Sequence, residues 1–313
     1  MEKKATRFGF GEALVELGKL DNTVFVLGAD TTSSVALNEF ATLFPNRFLN
    51  VGIAENNMVG IASGLSIVGF VPFIATYSIF VSGRAWEHIR NTICYSNLDV
   101  KIGGSHSGIT VGADGATHQA LEDIAIMRCI PNMKVICPCD FIETKKAVIA
   151  SRQINGPIYI RYSRETTPII TTQETPFIFG KANVMHNGSD VAIMSCGNMV
   201  YESLQAASIL RIQKGISSMV INFHTIKPID ESIIIKAAQK CKAIVSVEEH
   251  QIYGGLGSAI SEVLTKHIPV PLETIGIENS FGESGKPAEL LQKFKLTSLN
   301  IIDTVIKVMK RKK

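Results

Sequence analysis

Residues 51–77 read VGIAENNMVGIASGLSIVGFVPFIATY, and no charged side chain occurs between Glu55 and Arg84. An uncharged stretch of this length satisfies the roughly 20 apolar residues of a membrane span. Its composition points elsewhere: Asn56, Asn57, Ser63, Pro72 and the glycines Gly60, Gly64 and Gly69 divide it into a small-residue helix, a turn and a short strand. Outward from this unit the pattern repeats. A helix is predicted over Ala5 to Leu20, and strands over Thr23–Leu27, Phe48–Val51, Phe70–Ala75, Val100–Gly103, Met133–Cys137 and Ile158–Tyr162. Short apolar strands without polar alternation, separated by helix-length segments, imply a parallel sheet covered on both faces.

Ser163 to Pro176 is rich in Thr, Glu and Pro, has no clear period and reads as a linker. A second series follows, with strands predicted over Val191–Ser195, Ser218–Ile221, Ala243–Val247 and Leu272–Ile275, and helices near Val200–Gln213, Ser232–Lys240 and Gly257–Lys266. The expectation is α/β, with two doubly wound domains of mainly parallel sheet at 1–166 and 179–313, joined by a linker at 167–178. A length of 313 residues suits two domains of ordinary size.

Composition excludes several classes. Hydrophobic residues are 46%, charged residues 19% and mean hydropathy is +0.21, so apolar surface beyond one core's needs is expected to be buried against another subunit. A net charge of +3 is too mild for a nucleic-acid partner, and the basic tail Lys310 to Lys313 reads as solvated. The first residues, MEKKATRFGF, have no apolar core of signal-peptide length, which predicts a cytoplasmic protein with no membrane association. The six cysteines have no CxxC spacing and read as buried, reduced thiols; the CxC of Cys137 and Cys139 is weak evidence for metal.

Two segments carry chemistry. Glu55 is a single carboxylate opening an otherwise uncharged helix. It reads either as a residue favoured by the helix dipole or as a functional acid, and a carboxyl among Ile53, Met58, Val59 and Ile61 would be partly desolvated, as proton shuttling near neutral pH requires. The second segment, GSHSGITVGADGATHQALEDIA at 104–125, is a glycine-dense loop after a strand that carries His106, Asp114 and His118. It reads as a flexible connection or as the polar loop that α/β sheets offer to ligands. The remaining histidines, His88, His186, His224, His250 and His267, form no ligand spacing and read as structural.

Together with TYSIFVSGRAWEHIR (76–90), VEEHQIYGGLGSAI (247–260) and FGESGKPAELLQKFKLTSLNI (281–301), these segments resemble the transketolase family in its order and over nearly the whole chain. The family's diphosphate-binding domain, with its GDG motif and later Asn, has no counterpart in the sequence. The resemblance therefore implies the pyrimidine-binding and C-terminal subunit of a split enzyme. Such a subunit would work with an N-terminal transketolase subunit, expected as α2β2, on thiamine diphosphate with Mg2+ or another divalent cation held mainly by that partner. The helix-opening glycines near 254–257 are expected to start a helix rather than bind a nucleotide.

Residue by residue, the resemblance makes Glu55 the catalytic carboxylate at N1′ of the aminopyrimidine. Tyr77 and Phe80 become the aromatic lining of its pocket and Asp30 the acid beneath the thiazolium. His106 and His118 become the histidines facing substrate, Asp114 the partner of the acceptor's hydroxyl, and Arg7, Ser34 and Arg164 the clamp for the phosphate of sugar phosphates. Arg161, close by, competes with Arg164 for that role, and core packing competes for both aromatics. Tyr77 and Gly83 depart from the family's usual residues. The implied reaction is two-carbon ketol transfer. The alternatives are a deoxyxylulose-phosphate synthase-like or 2-oxoacid dehydrogenase β-like subunit, which the loop GADGATHQALEDIA disfavours, and a non-catalytic interaction paralogue, which intact Glu55, His106, Asp114 and His118 argue against.

Overall fold

A computed structural model describes residues 1–312. Within it the chain forms the α/β architecture expected. A seven-stranded sheet has the order Thr225–Lys227, Lys134–Ile136, Ile158–Arg161, Lys101–Ser105, Val71–Tyr77, Val24–Gly28, Phe48–Asn50. All its pairings are parallel except that of the first strand. A five-stranded sheet has the order Leu272–Ile277, Ile244–Gln251, Val191–Ser195, Ser218–Asn222, Asn183–His186, with the last strand antiparallel. Residues 51–77 are the helix Glu55–Ile67 and the fully paired strand Val71–Tyr77, the latter buried along almost its whole length. No helix among the described residues is long and apolar enough to cross a membrane.

The buried-strand periodicity located the central strands to within a few residues; the elements it missed are short edge pieces. Thr166–Pro168, inside the stretch read as a linker, pairs antiparallel with Lys3–Ala5. Thr225–Lys227 follows Ser218–Asn222 in the second series yet pairs with Lys134–Ile136 at the edge of the first sheet. A strand from the second series is thus added to the first sheet, and Cys137 N–H donates to His224 O at 2.8 Å beside it. Three-residue edge strands carry too few side chains to show a period.

Five cysteines are buried and all six are free, but Cys129 is exposed, contrary to expectation. Its position at the end of the short helix Asp123–Arg128 turns it outward. The basic tail is not simply solvated: Arg311 pairs with Glu273 and Lys312 donates to Asp190 O at 3.0 Å, while Lys313 lies outside the described residues. The outward face of the helix Glu55–Ile67 carries Asn56, Asn57, Gly60, Gly64 and Ile67, without a charge, and Ile53 just before it is 74% exposed.

Candidate active site at the strand ends of the first sheet

In an open parallel sheet, ligand sites form beyond the carboxyl ends of the strands. The residues singled out in the sequence collect there. Asp30 follows Val24–Gly28, Glu55 opens the helix after Phe48–Asn50, Tyr77 ends its strand, His106 follows Lys101–Ser105, and Arg164 lies three residues beyond Ile158–Arg161. Because neighbouring strands are in parallel register, with Gly28 opposite Ala75 and Tyr77 opposite Ser105, these exits lie side by side.

Four rings form the centre. Tyr77 stacks on His106 with centroids 3.9 Å apart and on Phe80 at 5.7 Å, with interplanar angles of 11° and 8°. His118 meets Tyr77 and Phe80 edge-on at 6.0 and 5.3 Å. Phe80 reaches the group because the chain leaves Tyr77 in tight turns and enters a π-helical turn over Phe80–Arg84, a distortion frequent near functional sites. His106 is 1% exposed and has φ of 56°, a left-handed conformation uncommon for a residue with a Cβ. Its Nδ1 lies 2.9 Å from Ser105 Oγ. Burial, reinforced by the charges of Arg7, Arg164 and His118, pushes its pKa down to about 3, so the imidazole is neutral at physiological pH.

Glu55 is 4% exposed at the first position of its helix. It does not cap that helix; its partner is Arg84, whose Nη1 lies 3.3 Å from both carboxylate oxygens. The same guanidinium lies 4.3 Å from the Phe80 centroid. Arg84 was missing from the sequence-derived site, although a signal existed: Glu55 and Arg84 are the two charges that bracket the uncharged run, and the fold brings them together. Asp30 is exposed with φ of 59°, and its N–H donates to Asn50 Oδ1 at 2.9 Å.

On the other side, Arg164 Nη1 donates to Asp114 Oδ1 at 3.2 Å and to Val111 O at 3.1 Å, while Arg7 Nη1 donates to Ser34 O at 3.0 Å. Arg7 Nε is buried without a partner. Arg161 is built differently. It is 4% exposed, its Nε pairs with both oxygens of buried Asp123 at 2.9–3.1 Å, and its Nη2 donates to Ala120 O and Glu249 O. Its Nε and Nη2 are thus engaged within the protein, and the Nη2 bond to Glu249 O ties the first domain to the second. Among the described residues no three His, Cys, Asp or Glu side chains group as metal ligands.

The model of the transketolase pyrimidine binding domain matches residues 2–169, and that of the transketolase C-terminal domain matches residues 180–301. The chain belongs to the transketolase family. Its transketolase relatives include a chain of Methanocaldococcus jannaschii described as a transketolase C-terminal section, 45% identical over 98% of this chain and 97% of that one. A second, the 6-deoxy-6-sulfo-D-fructose transketolase subunit SqwH of a Clostridium species, is 37% identical over 100% and 97%. A solved structure, a split gene transketolase described as an inactive beta4 tetramer, superposes with a TM-score of 0.93 at 42% identity, covering 99% of each chain. This transketolase chain therefore corresponds over its full length to C-terminal section and subunit chains.

Proposed function

We propose that the chain is the pyrimidine-binding subunit of a thiamine-diphosphate-dependent transketolase. In this reading it moves a two-carbon ketol unit from a ketose phosphate to an aldose phosphate, together with a separate N-terminal subunit that carries the diphosphate-binding domain and the divalent cation. The observation that carries this is the convergence of one buried carboxylate, Glu55, with the parallel rings of Tyr77 and Phe80 and the buried imidazole of His106. This set fits an aminopyrimidine: a flat aromatic wall for the ring and a desolvated carboxylate for a ring nitrogen. The guanidinium of Arg84 is half-exposed and can give way when a ring nitrogen takes its place beside the buried Glu55 carboxylate.

Bound thiamine diphosphate supplies the nucleophilic carbon that opens the bond beside a ketone. The chain's own residues do the rest. Glu55 holds a proton at the pyrimidine nitrogen, a role that a carboxyl away from water performs well. Tyr77 and Phe80 would hold the aminopyrimidine ring, and Asp30 would face the cationic half of the cofactor. Neutral His106, with Nδ1 engaged by Ser105, offers its other nitrogen to a sugar hydroxyl, and His118, with Nδ1 2.9 Å from Thr117 Oγ1, presents a second imidazole beside the same rings. Asp114 receives the acceptor's hydroxyl. Arg164, Arg7 and Ser34 take the phosphate; commitment of the Arg161 donors elsewhere leaves that task to Arg164.

The charge-free outer face of the helix Glu55–Ile67 supports burial against another chain, in an assembly of two copies of each subunit. The test is reconstitution. This chain alone is expected to be inactive, and the pair to transfer a ketol unit from xylulose 5-phosphate but not to use pyruvate. Activity of the chain alone, or turnover of pyruvate, overturns the proposal. Adding 6-deoxy-6-sulfo-D-fructose to the donor panel shows whether the clamp accepts a sulfonate in place of a phosphate.

A further inference from the structure

The loop that bears His106, Asp114 and His118 passes through four positive-φ positions, three of them glycines. His106, Gly108, Gly112 and Gly115 all have positive φ, at 56°, 81°, 83° and 77°. At the glycines this is sterically free, but at His106 such backbone persists only where its surroundings over-determine it. Part of the restraint is local: Ser107 N–H and Oγ–H donate to Tyr162 O, and Gly108 N–H donates to Ala120 O at 2.9 Å. Arg164 Nη1 donates to Val111 O and Gln119 Nε2 to Ile109 O, both at 3.1 Å, and a further contact comes from the other domain. Glu249, in the strand Ile244–Gln251, is 2% exposed, and its Oε1 accepts the Thr110 N–H at 2.7 Å. A Cβ on Gly108 would stand 2.2 Å from the same oxygen, so the loop passes against the carboxylate with no room for a side chain.

Glu249 is itself held. Asn198 Nδ2 donates to its Oε2 at 2.6 Å, and Arg161 Nη2 donates to its backbone carbonyl at 2.9 Å. Burial raises its pKa, while Arg161, Thr110 and Asn198 favour the charged form. A carboxylate placed in a domain interface at this desolvation cost, with each oxygen directed at one donor, is arranged for orientation. Glu248 and His250 on either side have different tasks: Glu248 accepts the Leu256 and Gly257 amides, and His250 Nε2 accepts the Ala125 amide.

We propose that Glu249 is a positioning residue through which the C-terminal domain sets the geometry of the substrate-facing histidine loop, by fixing the Thr110 amide four residues beyond His106. The proposal rests on the transketolase reading of the site for its effect on turnover, but its structural half is independent of that reading. The experiment compares Glu249→Ala, Glu249→Gln and Asn198→Ala, each reconstituted with the N-terminal subunit. In Glu249→Ala, exchange of the Thr110 amide is expected to accelerate at least about 10-fold, with amides of the strand Ile244–Gln251 still protected. Its kcat is expected to fall about 10- to 100-fold at unchanged cofactor affinity. Glu249→Gln keeps an oxygen for Thr110 and restores both properties. Asn198→Ala frees one carboxylate oxygen and gives a smaller change in the same direction.

The proposal is overturned if Thr110 exchanges faster while kcat stays at the wild-type value, or if Glu249→Gln is as impaired as Glu249→Ala. Should Glu249→Ala fail to fold, Asn198→Ala decides: unchanged kcat with loosened Thr110 sinks the idea, and a joint loss supports it. If the wild-type pair itself transfers no ketol unit, the reading of the reaction has failed, and Thr110 exchange in the three variants still decides whether Glu249 holds the loop.

Discussion

Both sheets end their parallel strands in polar residues, and the two sets are used differently. At the first sheet the strand ends leave groups with capacity to spare. Glu55 faces one half-exposed arginine, His106 uses one ring nitrogen, and Arg7 Nε has no partner. At the second sheet the residues that end the strand Ile244–Gln251 are consumed. Glu248 accepts two amides at the start of the helix Leu256–His267, Glu249 is divided between Thr110 and Asn198, and His250 ties the helix Asp123–Arg128. The same architecture thus leaves polar groups open at one set of strand ends and pairs them with each other at the end of another strand. Fold alone does not say which, because that depends on where hydrogen-bonding capacity is left over.

The largest effect that tests this contrast is at Glu55. Glu55→Gln in the reconstituted pair should lower kcat by about 100- to 10,000-fold while leaving assembly and thermal midpoint as in wild type; surviving turnover would falsify the mechanism. Next comes the pair Arg161 and Arg164. Arg161→Ala strands the buried carboxylate of Asp123 and should cost about 3–5 kcal/mol of stability, read by denaturant unfolding. Arg164→Ala should leave stability near wild type and raise KM for phosphorylated substrates about 10- to 100-fold, the worth of a hydrogen bond to a charged group. The reverse pattern would exchange their roles.

A smaller effect is expected at Glu248. Glu248→Ala leaves the Leu256 and Gly257 amides unpaired in a buried setting and should cost about 1–3 kcal/mol, with kcat unchanged in calorimetry-matched samples. A kcat loss comparable to that of Glu55→Gln would erase the distinction between the two strand ends.

The smallest effect is pH dependence. Burial lowers the pKa of His106 to about 3 and that of His224 to about 4, from 6.5, one in each domain. As pH falls below 6.5 the unfolded chain binds protons that the folded chain refuses, so the stability contributed by these two groups declines. Glu143, raised to about 7 by burial from 4.5, acts with the opposite sign, its contribution being complete below 4.5 and lost as pH rises through 7. Between pH 4.5 and 6.5 the histidines outweigh it, giving a net loss from these groups of about 1.4 kcal/mol per pH unit. Glu143→Gln should steepen that fall, as urea titrations at pH 5, 6 and 7 can show; an unchanged slope contradicts the assignment.

Much of this was legible in the residues. The charge-free run from Glu55 to Arg84 separated into helix, turn and strand because glycine, asparagine and proline interrupt it, and buried strands announce themselves by β-branched runs. The Thr225–Lys227 edge strand and the Lys3–Ala5 pairing with Thr166–Pro168 were not legible, since their partners are distant in the chain. Arg84 and Glu249 escaped for the same reason: each acts across a gap that no local period spans.

By itself the sequence determined the order of helices and strands, the two-part α/β build and which residue types were available for chemistry, all of which follow from local propensity and apolar spacing. Only the tertiary structure decided that Arg161 forms a buried ion pair while Arg164 forms a partly exposed one, that the Glu55 carboxylate faces a guanidinium, and that the second domain contacts the histidine loop. Those outcomes depend on hydrogen bonds between residues as much as 139 positions apart, whose geometry exists only once both sheets have formed.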